Sequence, residues 1–352
     1  MVLLTEENAA EYLPLLTKDR SEQLRTVIDP DVLDKYCHLN NWPSQQTPPT
    51  RLPYSTMGAL TRLPAELLGL VLSDLDIQSL YHFRAVNRLS RMTVDSLGQH
   101  KVIIEQAPNT LRAALSTGIA RWISLRKLYE TLCSNACVQC GDFAPFIYLL
   151  SCSRVCYLCL QEKDTFLPLT LSHAKDKYGL NAASSSTLPS ILTLPGTYSA
   201  PPLRQSKQAT LVDSSAAERA GAALHKSVAA MQEYVAEKHR IKAKVYEAEI
   251  RRRGPHGKRP PRPRYTSYVD RKCNNPHRYM GVVRSPWLDR RNGIAQWGFS
   301  CKACRDCHYY FEELRQFDWK RMYTRTGYIE HLGSCNESRQ ALELLVTQAE
   351  KS

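Results

Sequence analysis

The chain has 352 residues, 43% hydrophobic and 23% charged, which fits a soluble globular protein of two to three domains. Its N-terminus, MVLLTEENAAEYL, has no basic run ahead of a short apolar stretch, which excludes a secretory signal, and no run of about 18 apolar residues offers a membrane span, so the cytoplasm or nucleus is the expected location. Twelve cysteines there are expected as reduced thiols and point first to metal ligation, while the net charge of +13 is concentrated between Arg240 and Arg264, where ten Lys or Arg meet only Glu247 and Glu249.

Residues 1–58 read as helices followed by a Pro-rich linker. Thr5 is placed to cap the first helix and Asp29-Pro30 the second, with Leu13, Leu16, Leu24, Val27, Leu33 and Tyr36 as core candidates and four prolines between Asn41 and Pro53. Residues 59–100 predict three short helices. Pro64 and Glu66 suit a helix start, Leu67, Leu68, Val71, Leu72 and Leu75 follow at helical spacing, and Asp76 and Asn87 are N-caps for two further turns of helix. The second carries Ile77, Leu80, Tyr81 and Phe83, the third Leu89, Met92 and Leu97. The apolar face of this hook exceeds what so short a segment buries alone, so a partner is expected to cover the rest.

Residues 101–178 are expected to hold one helix over Ala107–Leu132 and a cysteine-rich module. From 179 to 264, the Ser-, Pro- and Thr-rich stretch Asn181–Gln208 reads as a mostly mobile linker with a short turn or strand near Leu192–Tyr198. A long helix over Ser215–Arg253 follows, its stripe of Leu224, Val228, Met231 and Val235 fading toward Val245, and the basic run RRRGPHGKRPPRPR extends it without helix or sheet. Residues 265–352 form a second cysteine-containing module closed by a helix with Leu342, Leu345 and Val346. The predicted class is therefore mainly α with small β content.

Two constellations have metal-ligand spacing. Cys137-x2-Cys140 and Cys156-x2-Cys159 are fifteen residues apart, within the range of a four-thiolate zinc site, and Gly141 supplies the backbone freedom that the first knuckle needs. Such a site is closed and structural. Cys152 is an alternative ligand, and Cys133 reads as a helix thiol. The second set is Cys301-x2-Cys304 with His331-x3-Cys335, the latter pair one helical turn apart; Cys307 and His308 compete for it, and Phe317, Trp319 and Tyr323 must fold in the gap. Cys37, Cys273, His38 and His277 lack partners at useful spacing.

The three-helix segment resembles the F-box, the motif by which substrate receptors dock on the adaptor of SCF ubiquitin ligases. Leu63, Pro64, Glu66, Leu67 and Leu68 fit the opening LPxELL, Leu72 and Leu75 the next segment, and Phe83, Arg84, Val86, Arg88 and Arg91 the closing lrxVxrxxR. Followed by CxxCG, a VCxxCL knuckle and WGFxCxxC with HLxxC, the whole looks like a group of filamentous-fungal F-box proteins. The resemblance implies adaptor contact through Leu63, Pro64, Glu66, Leu67, Leu68, Val71, Leu72, Leu75 and Val86, a cullin reached through the adaptor, an unnamed target protein and two structural zinc ions. It implies a non-catalytic subunit. The alternative is a nucleic-acid-binding regulator, for which the basic run predicts weak, non-specific contact. A RING-type ligase needs eight ligands in two interleaved sites, which this spacing does not provide.

Overall fold

The computed structural model describes residues 9–18, 26–37, 56–198, 202–254, 258–261, 275, 277–310 and 320–349. Thr5, Leu24, the proline linker, Cys273 and His38 lie outside them, as do Phe317, Trp319 and the basic run beyond Pro261. The class is mainly α with small two- and three-stranded sheets.

The hook folds as its caps dictate. Asp76 accepts from the Ser79 N–H at 2.8 Å and starts Ile77–Val86; Asn87 accepts from the Ser90 N–H at 2.8 Å and starts Arg88–Ser96. Arg84 clamps Asp95 through two hydrogen bonds at 2.7 and 3.0 Å, tying the second helix to the third. Behind them Tyr81 meets His100 at 3.2 Å, and burial pushes the His100 imidazole down to about 4, so that it is neutral at pH 7.

From the hook the main core runs on without a break. Leu68, Leu72, Ile77 and Leu80 join Val27 and Leu33 from the N-terminal part, Leu111 and Leu125 from the next helices, and Phe146, Ile147, Tyr148 and Val282 from a central sheet. In that sheet Phe146–Tyr148 pairs antiparallel with Ser153–Val155 on one side and Val282–Arg284 on the other. Residues on either side of the long insertion 156–281 thus share one small sheet. Arg154, on the edge strand Ser153–Val155, is 1% exposed and donates to the carbonyls of Thr131, Leu132, Ala144, Ser285 and Pro286.

Three expectations are corrected. Ala107–Leu132 is not one helix but Pro108–Ser116, a 3-10 turn Ile119–Trp122 and Leu125–Leu132. The Thr117 hydroxyl turns back to Ala113 O at 2.7 Å, and the Ile123 carbonyl accepts from Ile77 N–H at 2.9 Å, so the break wraps the chain around the hook. The Ser-, Pro- and Thr-rich segment is ordered where it is described. It holds the short helix Ala182–Ser186 and strands Ser190–Leu192, Gly196–Tyr198 and Leu203–Gln205, because Ile191, Leu194 and Tyr198 are buried and outweigh the polar composition. The long helix is two, Ser214–Leu224 and Val228–Arg253, parted at Lys226, whose φ is +70°. There His225 bonds Gly179 O at 3.1 Å and stacks on Tyr234, and Ser227 caps the second helix. Along the second helix Met231 is buried and Lys238 and Lys242 reach Asp176 at 3.6 and 3.3 Å; Ile241 and Val245 are exposed.

The N-terminal segment completes two distant parts. Ile28 bridges to Val283 beside the central sheet, whereas Thr17–Lys18 pairs antiparallel with Ser300–Cys301. Leu13 and Leu16 accordingly share a second core with Tyr328, Leu332 and Leu342.

Candidate docking face and metal centres

Helix Ala65–Asp74 has two apolar faces. Its inward face, Leu68 and Leu72, is 5% and 2% exposed and belongs to the protein's own core. Both residues were expected at the adaptor, and they are withdrawn from that role because their side chains already have packing partners. The outward face keeps Leu67 and Val71, about half exposed, and continues into Leu63, Pro64 and Glu66; Leu75 is half-buried, and Val86 is 70% exposed at the end of the second helix. Leu70, 53% exposed, extends the same stripe and was missed by the sequence reading, although its i+3 spacing from Leu67 marks it. Four large aliphatic side chains in nine residues are left uncovered on one helix and its approach.

Each of the two predicted cysteine sets comes together. The sulfurs of Cys137, Cys140, Cys156 and Cys159 all lie within 4.8 Å of one another, as do the ligand atoms of Cys301, Cys304, His331 and Cys335. A tetrahedral zinc site with Zn–S of about 2.3 Å puts neighbouring sulfurs about 3.8 Å apart. Cys140 and Cys156 are at 3.6 Å, Cys304 and Cys335 at 3.6 Å, and Cys304 Sγ and His331 Nε2 at 3.4 Å.

The first knuckle is shaped by main-chain bonds. Cys137 N–H donates to Asp142 O at 2.7 Å and Gly141 N–H to Cys137 O at 2.9 Å, with Gly141 at φ +81°, a conformation that favours glycine. The second knuckle opens helix Tyr157–Glu162, where the Cys156 sulfur accepts from Cys159 N–H. Cys152 stands apart: its carbonyl accepts from the Thr131 hydroxyl at 3.0 Å, its sulfur lies 3.6 Å from that same oxygen, and it is not in the cluster. Cys37 and Cys133 are likewise outside both sets. The side chains of Cys307 and His308 lie outside the described residues.

Around the second set the supporting residues were not foreseen. Ser338 Oγ is 2.9 Å from Cys301 Sγ, and Tyr323 stacks on the His331 ring at 4.4 Å, fixing the plane of the imidazole. Tyr323 is itself held by paired main-chain bonds to Phe299 at 2.8 Å.

The thiols compete for one another's protons. The hydrogen bond with Cys156 draws Cys137 down to about 4 and pushes Cys156 up; burial raises Cys140 and pushes Cys159 up to about 12. In the second set, hydrogen bonds with Cys304 and Cys335 pull Cys301 down to about 2, and Cys304 rises in return. Crowded thiols cannot all ionise unaided, whereas a divalent cation at the centre holds every one as thiolate. Both donor sets fit such an ion.

The two centres are joined through Phe143 and Gly298. A Cβ on Gly298 would sit 2.3 Å from Phe143 Cε1, and its φ of +78° disfavours any side chain. Gly298→Ala is expected to cost about 1–3 kcal/mol, from strain plus overpacking, and to lower the thermal unfolding midpoint. An unchanged midpoint would contradict this packing.

No curated protein and no solved structure matches the chain. The family model described as the F-box domain matches residues 60–101, so the segment that carries the uncovered stripe is similar to F-box domains.

Proposed function

We propose that the protein is the substrate-receptor subunit of an SCF-type ubiquitin ligase, docking on the adaptor through the F-box and, through it, on the cullin. The observation that carries this reading is the uncovered row Leu63, Leu67, Leu70 and Val71 within residues 60–101, because a row of that size on a rigid helix is what a partner's groove buries. The rest of the chain presents a target protein. Its contribution is proximity, since holding a lysine beside a ubiquitin thioester raises the effective concentration without a catalytic side chain. The two thiolate-rich centres take zinc: four ligands close each tetrahedron and leave no position for water, so both ions are structural.

The test uses Leu67→Asp with Val71→Asp. Both positions face outward, so the fold is expected to survive, while two carboxylates forced into the contact cost several kcal/mol. Co-purification with adaptor and cullin should be lost and the melting temperature kept. Undiminished recovery of the adaptor by the folded double variant would overturn the assignment.

A further inference from the structure

A cleft of about 740 Å³ lies between the two metal centres, within the range of about 300–1,000 Å³ typical of ligand sites. Its walls come from both centres. One is the Gly141–Phe143 turn that follows the first knuckle; the other is the segment from Arg321 to Ser334, which includes His331.

The charges lining the cleft do not cancel. Arg321 Nε lies 3.6 Å from Asp142 Oδ2, so that cation is already matched by a carboxylate. Glu330, one residue before the ligand His331, also lines the cleft, is exposed, and makes no ion pair or side-chain hydrogen bond among the described residues. An open carboxylate therefore stands beside a stacked Tyr323–His331 wall, with the Asn135 amide and Ser334 hydroxyl offering further polar contacts. That lining suits an occupant with a cationic head and an apolar stem, which is the chemistry of a lysine or arginine side chain.

We infer that this cleft binds an extended peptide segment carrying a basic side chain, with Glu330 taking the cation. The inference rests on the receptor reading and names the part of the target that is recognised. Arg321 and Asp142 act as positioning residues by clamping the two walls together.

The probe is a display library of random seven-residue peptides, panned on the full-length, zinc-loaded protein. Wild type should enrich Lys or Arg at one position. Glu330→Lys, at an exposed site with no packing role, should reverse the preference toward Asp or Glu. For the best enriched peptide, Glu330→Gln should weaken binding about tenfold, the size expected for one charge-assisted hydrogen bond, with zinc content unchanged. No enrichment by wild type, enrichment of acidic peptides by wild type, or selection unaltered by Glu330→Lys would each overturn the inference. Adaptor recovery is scored on the same preparations. Basic-peptide selection without adaptor binding would refute the ligase reading and leave the cleft assigned; adaptor binding without selection would do the reverse.

Discussion

Cys140→Ser is expected to cut the bound zinc from two ions per chain to one and to lower the melting temperature by many degrees. Cys140 is one of four sulfurs within 4.8 Å of one another, and hydroxyl replaces thiolate at a site whose other donors repel one another without the cation. Structural zinc in small folds contributes about 10–16 kcal/mol of apparent binding energy at neutral pH, comparable to the entire stability of a domain. The effect should spread, because Phe146 and Tyr157, beside the cluster, belong to the main core. Protons compete with the metal, so the same loss should appear in wild type as the pH falls and ligands protonate. Elemental analysis and scanning calorimetry supply the measurements, with Cys152→Ser, outside the cluster, as the control that keeps both ions. Wild-type protein purified without chelators and holding less than one zinc per chain would sink both centres.

Arg154→Met should be the most damaging substitution away from the metals. The guanidinium satisfies five carbonyls from three separate stretches of chain, at 3.0 Å to Thr131 and Leu132, 3.1 Å to Ala144 and 2.8 Å to Ser285, with Pro286 as the fifth. Burial pulls its pKa down to about 9, so it remains a cation at pH 7, neutralised by carbonyl dipoles. Methionine fills much of the volume but strands the carbonyls, and each orphaned acceptor costs about 1–3 kcal/mol before relaxation. A net loss of about 3–5 kcal/mol in denaturant unfolding is expected. Arg154→Lys should fail to rescue it, because three donors on one nitrogen cannot span five acceptors. A loss below about 1 kcal/mol for either variant would show that water replaces the network.

Local chemistry was legible in the sequence, and pairing across distance was not. Asp76 and Asn87 announced their helices because a cap acts over three residues, and the three CxxC pairs were readable because two sulfurs three residues apart are placed to share one ion. Nothing within reach of Phe146 indicates that its strand neighbour is Val282–Arg284, and a charged Arg154 gives no local sign that it will be enclosed. The amphipathic pattern of Leu67, Leu68, Val71 and Leu72 showed a helix with apolar residues on more than one side. It did not say which side the rest of the chain would claim, and Leu68 and Leu72 went inward. In 181–208 the serines and prolines outnumbered Ile191 and Tyr198, yet three or four large buried groups were enough to fix the path.

The pairing of Thr17–Lys18 with Ser300–Cys301 has a bearing on how the protein is made. Ser300 Oγ donates to Lys18 O across 282 positions of chain, and Tyr328 OH donates to Leu16 O across 312. Leu13 and Leu16 therefore precede by about 300 positions of chain the surface that covers them, and must wait for it during synthesis. Contacts of such high order form late and slowly, and the apolar helix Ala9–Leu16 is open to chaperones and to misassembly in the interval. The cluster of Cys301, Cys304, His331 and Cys335 thus cannot complete its packing until Leu13 and Leu16 have joined it.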